Sequence, residues 1–233
     1  TRLECMMQEF PSVLDAEESK HVGFTQAAAS ICFSPVKNAV ADGVALQAKG
    51  TPPGTAATGE ADQYAAQRIF LQSHGCQITE ADQVEFSGIK VIPGPAIVLK
   101  PDFVCCPGDL EVKFPSPEKV VITSRSTLVV RGSDVIIESL KLDGCLVVDA
   151  DPGEQITIQE LVVENDGWVQ VPVNNSEKEV VRMRGFEIQR RATKLIEAHS
   201  KSGQNETSDD TSIDEDVPYE VVDDSCGVNF GSN

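Results

Sequence analysis

Past Pro93-Gly94-Pro95 the apolar positions come in threes: Ile97-Val98-Leu99, Val120-Val121-Ile122, Leu128-Val129-Val130, Val135-Ile136-Ile137, Leu140-Lys141-Leu142, Leu146-Val147-Val148, Ile156-Thr157-Ile158 and Leu161-Val162-Val163. Most of the runs are broken by Gly, Ser, Asp or Asn. Runs this short cannot build a broad sheet of long strands. Spaced often five to nine residues apart, they suit a coiling β-solenoid stacked turn upon turn. A β-sandwich is the competing reading of many short strands, and the spacing favours the solenoid.

Before residue 94 the pattern is different. Leu3, Met6, Met7 and Phe10 fall at helical spacing and predict an amphipathic helix running to Pro11. Nothing precedes Thr1 to cap that helix, and Thr1 reads as an internal position of a longer chain. Ala16 to Lys20 reads as polar loop, and a strand is expected from about Ala27 to Phe33. Pro35 lacks an amide proton and disfavours helix at Ser34, so that strand should stop in a fixed turn. Residues 39 to 59, rich in Ala, Gly, Pro and Thr, read as a long loop of the kind that makes lids or substrate contacts. Thr58 is the expected cap of a helix opening at Gly59-Glu60 and ending at Gly75. Glu60 is a candidate base, although the helix dipole already explains a first-turn carboxylate.

Near the other end, Asn165-Asp166-Gly167 is a turn triplet, and Trp168 after it is expected to seal the side or end of the solenoid. Val180 to Met183 reads as a last strand and Arg190 to Ala198 as a short helix. Beyond Ser200 the chain is polar and acidic, which predicts a disordered tail. Asn174-Asn175-Ser176 and Asn205-Glu206-Thr207 match the glycosylation pattern, which is common by chance.

Composition narrows the function classes. The 233 residues, 40% of them apolar, can fill one large core or two modest ones. A formal charge of −18 argues against nucleic acid as a partner. Nine carboxylates and one lysine of that balance lie beyond Ser200, so the body is only moderately acidic. No apolar run approaches a bilayer span and the first residues lack the regions of a signal peptide, so no membrane partner is expected. The seven cysteines form no CxxC pair, which fits a reducing, cytoplasmic setting and no zinc site. Cys105-Cys106, after Phe103-Val104, reads as a pair of small apolar strand residues. His21, His74 and His199 are far apart, lack a ligand pattern and read as surface residues.

The best candidate chemistry lies at Ile31-Cys32-Phe33-Ser34-Pro35-Val36-Lys37-Asn38. A turn at Ser34-Pro35 would aim Lys37 and Asn38 off a strand end, where open α/β sheets bind ligands and a cation meets phosphate without crossing the core. The plain alternative is a solvated loop lysine.

Several segments, in order, carry a resemblance: Thr1-Arg2-Leu3-Glu4-Cys5-Met6-Met7-Gln8, Val22-Gly23-Phe24-Thr25, Ser34-Pro35-Val36-Lys37-Asn38 and Thr58-Gly59-Glu60. Further along come Ser124-Arg125-Ser126-Thr127, Leu142-Asp143-Gly144, Asn165-Asp166-Gly167-Trp168 and Arg184-Gly185-Phe186. Over roughly residues 1 to 190 the chain resembles the C-terminal half of the UDP-sugar pyrophosphorylases (UTP-monosaccharide-1-phosphate uridylyltransferases).

The resemblance implies an α/β fold: the C-terminal part of a Rossmann-like nucleotidyltransferase domain over residues 1 to 94, then a left-handed parallel β-helix over 95 to 190. A short helix and acidic tail would occupy 191 to 233. It further implies a reversible, Mg²⁺-dependent reaction of UTP with several sugar 1-phosphates to give UDP-sugar and pyrophosphate. Lys37 matches the family's phosphate-contacting lysine, and Asn38 beside it is a substrate-binding candidate. The family's Gly-rich loop, uridine pocket and metal carboxylate lie upstream, so Mg²⁺ would be held mainly outside this chain. The missing N-terminal half becomes a required partner, and this chain alone should be inactive. The alternative of another class is a non-catalytic β-solenoid for oligomerisation or docking, and a uridylyltransferase restricted to one sugar is a further enzyme reading.

Overall fold

The structure is a computed structural model that describes residues 7–173, 178–200 and 228–230. Leu3 and Met6, both glycosylation-pattern asparagines and nearly all of the acidic tail lie outside the described residues. The leading segment forms a 3-10 turn at Met7–Val13 where an amphipathic α-helix was expected, and Pro11 lies inside it. Another 3-10 turn follows at Glu18–His21, inside the expected loop. Three helices come next: α1 (Ala29–Cys32), α2 (Val40–Gln47) and α3 (Ala56–His74).

Two expectations fail here. The strand predicted over Ala27 to Phe33 is the single helical turn α1. Its apolar run finds no neighbouring strand, and a lone strand leaves its backbone groups unpaired. The predicted loop 39–59 contains α2, since Val40 to Gln47 holds one glycine and no proline. The cap of α3 is Thr55 rather than Thr58. Thr58 sits three residues in, where Oγ1 accepts the Thr55 amide at 2.9 Å and donates to the Thr55 carbonyl at 3.0 Å. The helix stops where expected, at Gly75 with φ 111°.

Strand β1 (Gln77–Ile78) is followed by the hairpin β2 (Val84–Phe86) and β3 (Ile89–Val91), then by β4 (Ala96–Leu99) and the one-turn helix α4 (Leu110–Lys113). The chain then runs through β5 (Val120–Ile122), β6 (Thr127–Arg131), β7 (Val135–Ile137), β8 (Leu140–Asp143), β9 (Cys145–Ala150), β10 (Ile156–Ile158) and β11 (Leu161–Glu164). The last elements are β12 (Trp168–Pro172), α5 (Glu179–Arg184), β13 (Phe186–Arg190), β14 (Lys194–Ala198) and β15 (Val228–Phe230).

Apart from the antiparallel pairs β2–β3 and β12–β13, the strands distribute over three mainly parallel sheets. One sheet has the order β1-β5-β8-β11 and another the order β14-β9-β6-β4. A third pairs β7 with β10 in parallel and adds β15 antiparallel at its edge. From β5 to β10 each turn of chain lays one strand on each of the three sheets beside the strand of the turn before, whereas the first turn supplies only β1 and β4 among the described residues. Register puts like on like: Val120 beside Leu140 beside Leu161, and Leu99, Val130, Val148 and Ile196 in one row. With the two-residue period of a strand, these rows point inward and form a dry core whose members include Ile122, Leu128, Val135, Leu146 and Ile158, all without exposed surface. All eight apolar triplets lie within strands.

The assignments after residue 172 are reversed. The expected strand Val180–Met183 is helix α5, closed by the left-handed Gly185. The expected helix Arg190–Ala198 is the end of β13, a short connection and β14. The open edge of β9 supplies hydrogen bonds to β14, so tertiary pairing overrides a weak helical pattern. Cys105-Cys106 is no strand either. Both residues sit in an exposed turn whose amides donate to Asp109 Oδ2 at 2.8 and 2.9 Å.

Helix α3 ties the molecule together. Leu71 near its end joins the core of the stack, whereas Ala57 near its start packs with Phe86, Ile89, Val91 and Phe186 in a second, smaller core. The buried Arg68 between them donates to the Pro95 carbonyl at 3.2 Å and faces Glu80 at 3.4 Å. Burial lowers its pKa.

Candidate functional site

The segment carrying Lys37 is held by its backbone. Ser34 Oγ donates to Asp62 Oδ2 at 2.7 Å, pinning the segment to the first turns of α3. Val36 lies over Gly59, where any side chain larger than hydrogen would overlap Val36 Cγ2. The Lys37 and Asn38 amides then converge on the Gly54 carbonyl, at 2.9 and 3.0 Å. Gly54 has φ 58°, a left-handed conformation that glycine adopts without steric cost. Asn38 adds a side-chain bond, Nδ2 to the Pro53 carbonyl at 2.8 Å. Asn38 therefore acts as a brace within this structure, and its amide nitrogen is already committed. The Lys37 side chain is exposed. The long loop expected to act as a lid instead contributes Pro53-Gly54 as the anchor of the lysine segment.

Glu60 is occupied too. The Tyr64 hydroxyl donates to its Oε1 at 2.7 Å, and Arg184 Nη1 approaches Oε2 at 3.5 Å. Burial, then the charge of Glu60 and its hydrogen bond, raise the Tyr64 pKa, so the phenol keeps its proton at physiological pH. The Arg184 guanidinium also stacks over the Phe186 ring at 4.5 Å, and Phe186 packs on Phe86 with ring centroids 4.7 Å apart. Thus three of the sequence segments that carried the resemblance, at 34–38, 58–60 and 184–186, are brought to one region around the start of α3.

Three others form a ladder along a corner of the stack. Asp143 accepts two hydrogen bonds from Arg125, at 2.7 and 2.8 Å, and one from Thr123 at 2.6 Å. Those bonds, the Arg125 pair first, hold its carboxyl below the usual range. Arg125 Nη1 reaches on to the Asn165 carbonyl at 2.8 Å. Asn165 Oδ1 accepts the Cys145 and Gly167 amides, and its Nδ2 donates to the Cys145 carbonyl. A side chain at Gly144, φ 135°, would run into Asn165. These segments stack turn on turn, which is a structural role. Trp168 fits the expectation of a seal in part. Its indole N–H donates to Thr193 Oγ1 at 2.8 Å and Arg190 covers one face at 4.6 Å, yet the ring is only half-buried and borders a cleft.

Other reactive groups are quiet. Burial pushes the Cys76 and Cys145 thiols up to about 12. His74 is half-buried with a ring nitrogen 2.9 Å from the Phe114 carbonyl, while His199 lies near Asp151 and Glu197. Among the described residues no group of three or more His, Cys, Asp or Glu could hold a metal ion. No helix among them is long and apolar enough to cross a membrane.

No family model matches the chain. Among curated proteins it is 36% identical over 191 residues to a UDP-sugar pyrophosphorylase of Oryza sativa subsp. indica. The identity to the protein of the same name from Oryza sativa subsp. japonica is also 36%. To that of Arabidopsis thaliana it is 33% over 189 residues. The two rice matches take in 81% of this chain but 30% of the relatives, and the third takes in 80% and 30%. The resemblance read in the sequence therefore holds across about four-fifths of the chain, which spans about 30% of the length of the curated relatives it matches.

Proposed function

We propose that this chain is the distal part of an enzyme that joins UTP to sugar 1-phosphates, releasing pyrophosphate, in a reversible reaction with a broad sugar range. On this reading residues 1 to 94 complete a Rossmann-like nucleotidyltransferase domain, and residues 95 to 190 form a left-handed parallel β-helix. The enzyme would work in the cytoplasm. Its catalytic contribution from this chain is Lys37, a cation set against the phosphates.

The observation that carries the assignment is the clamp on the lysine segment. Two amides on one carbonyl, together with the Ser34 and Asn38 bonds, fix the Lys37 backbone while its side chain stays exposed. The reaction brings the sugar phosphate up to the α-phosphate of UTP, and negative charge builds on the bridging oxygens. A cation about 4 Å away is worth about 1 kcal/mol in bulk water and about 4 kcal/mol in a partly screened protein site. Preorganisation keeps that gain from being spent on ordering the group during the reaction.

On this reading the rest of the site lies on the part of the enzyme that corresponds to the relatives' length outside the matched 30%. Met7, Phe10, Phe24 and Phe33 in the leading segment are exposed and are the apolar side chains such a polypeptide would cover. The described residues do not fit a Mg²⁺ site.

The test is Lys37→Ala in the complete enzyme. UDP-sugar formation from UTP and glucose 1-phosphate should fall about 10²- to 10³-fold, with the thermal midpoint unchanged. Unchanged turnover removes the assignment. The wild-type chain alone should form no UDP-sugar, and mixing it with the upstream polypeptide should restore the reaction.

A further inference from the structure

The outer face of the β4–β6 pair is the floor of a cleft. Ala96, Val98 and Val129 alternate with the buried Ile97, Leu99 and Val130, so their side chains leave the core on the opposite side. The β12–β13 hairpin closes over that floor. Its register sets Trp168 opposite Arg190 and Gln170 opposite Ile188, and Trp168, Gln170 and Ile188 all line the cleft between hairpin and floor. The volume is about 330 Å³, at the small end for ligand pockets. Neither Lys37 nor Asn38 lines it.

The polar groups around this cleft are unbalanced. Gln170 Oε1 is shut off from solvent and has no hydrogen-bond partner. An acceptor in that state costs roughly 1–3 kcal/mol. Asp82 and Asp166 add two carboxylates to the lining. Among the described residues Arg125 is the lining's one full positive charge, and its guanidinium is spent on Asp143 and the Asn165 carbonyl. Tyr64 donates its proton to Glu60, which leaves its oxygen able only to accept. Serine and threonine hydroxyls at 124 and 127 serve either way. A phosphate would meet two carboxylates and, among the described lining residues, no uncommitted cation; Arg190 lies on the Trp168 ring but does not line the cleft. A ligand with several O–H donors and one C–H face would match both the acceptors and the valine and indole walls.

We propose that this cleft binds an unphosphorylated monosaccharide ring, with hydroxyls donating to the Asp82 and Asp166 carboxylates, its C–H face against Val98, Val129 and Trp168, and the Gln170 amide turning out of its sealed position to pair with a further hydroxyl. The site is separate from the lysine segment and does not depend on the uridylyltransferase reading.

Trp168 is the chain's only tryptophan, so its fluorescence reports on this cleft alone. The chain as it stands is titrated with D-glucose, D-galactose, D-xylose and glucose 1-phosphate. At least one neutral sugar should give a saturable change, and glucose 1-phosphate should bind roughly tenfold more weakly or not at all. Gln170→Leu should abolish the response and leave the thermal midpoint unchanged or raised, because it deletes an unsatisfied buried acceptor. Val129→Phe, which fills the floor, should abolish it as well and decides the matter if Gln170→Leu proves unstable. Lys37→Ala should leave the response intact. No saturable change with any neutral sugar, a response that survives both cleft substitutions, or preferential binding of glucose 1-phosphate would overturn the proposal.

Discussion

The parallel-strand stack and the leading segment, residues 7 to 47, spend their apolar residues in opposite ways. In the stack, Leu128 and Leu146 have no exposed surface, and the inward rows are filled mainly by Val, Leu and Ile from successive turns, with Ala150 beside Ala198 in one and Lys194 at the end of another. In the leading segment Gly43 is the one buried residue among the described side chains, and Met7 and Phe24 are 94% and 93% exposed. The stack is held by burial. The segment is held by backbone and polar bonds: Ser34 to Asp62, Lys37 and Asn38 to Gly54, Asn38 to Pro53. Directional bonds fix a position without contributing much net stability, since each replaces one to water. The difference teaches that the stack is complete by itself, whereas the segment is positioned yet unfilled.

The sharpest way to break this contrast is Leu146→Ala. Leu146 lies on β9, between β6 and β14, so the deleted atoms leave a hole that neighbours on both sides cannot fill. The expected cost is about 2–5 kcal/mol in urea unfolding. A cost below about 1 kcal/mol would mean that the stack is loosely packed and the contrast false.

The corner ladder gives a smaller effect with a definite sign. The folded pKa of Asp143 lies below its unfolded value, so its contribution is present above about pH 4 and is lost as pH falls through the depressed folded value. Its side chain and that of Arg125 are 39% and 48% exposed, so solvent screening holds the pair to about 1 kcal/mol or less. Urea midpoints measured from pH 7 downward should fall below about pH 4, and Asp143→Asn should lower the neutral-pH midpoint and flatten that fall. An unchanged acid profile in the variant would assign the acid sensitivity to other carboxylates.

The same contrast governs how much could be read from the sequence. The stack was legible because its turns repeat: each triplet carries a two-residue period and a closing turn residue, and stacking adds no information that the repeat lacks. The short pieces near residue 180 were not. Four to six residues such as Val180 to Met183 fit either period, and α5 is decided by Gly185 and by Arg184 reaching Glu60, a partner 124 residues away. Arg190 to Ala198 was lost to the open edge of β9. At the site, Lys37 stood out as a cation after a proline turn, but the anchor on Gly54 and the engagement of both Glu60 oxygens depend on contacts that no local spacing encodes. Gln170 gave no signal at all, because an orphaned acceptor is a property of the folded cleft.

The smallest effect on the isolated chain is the most telling for the leading segment. Phe24 is 93% exposed and makes no core, so Phe24→Ser should change the stability of this chain by no more than about 0.5 kcal/mol. If polypeptide corresponding to the unmatched part of the relatives covers that ring, the same substitution should weaken association with it. Burying a phenylalanine contributes about 1.5–3 kcal/mol, so the dissociation constant should rise at least about tenfold, read by sedimentation or calorimetry on the mixed halves. The two measurements must diverge for the contrast to stand. A loss of stability in the chain alone would show that Phe24 already packs against its own fold. An unchanged dissociation constant would place that polypeptide on another face, and the clamp at Gly54 would then present Lys37 to solvent rather than to a second wall.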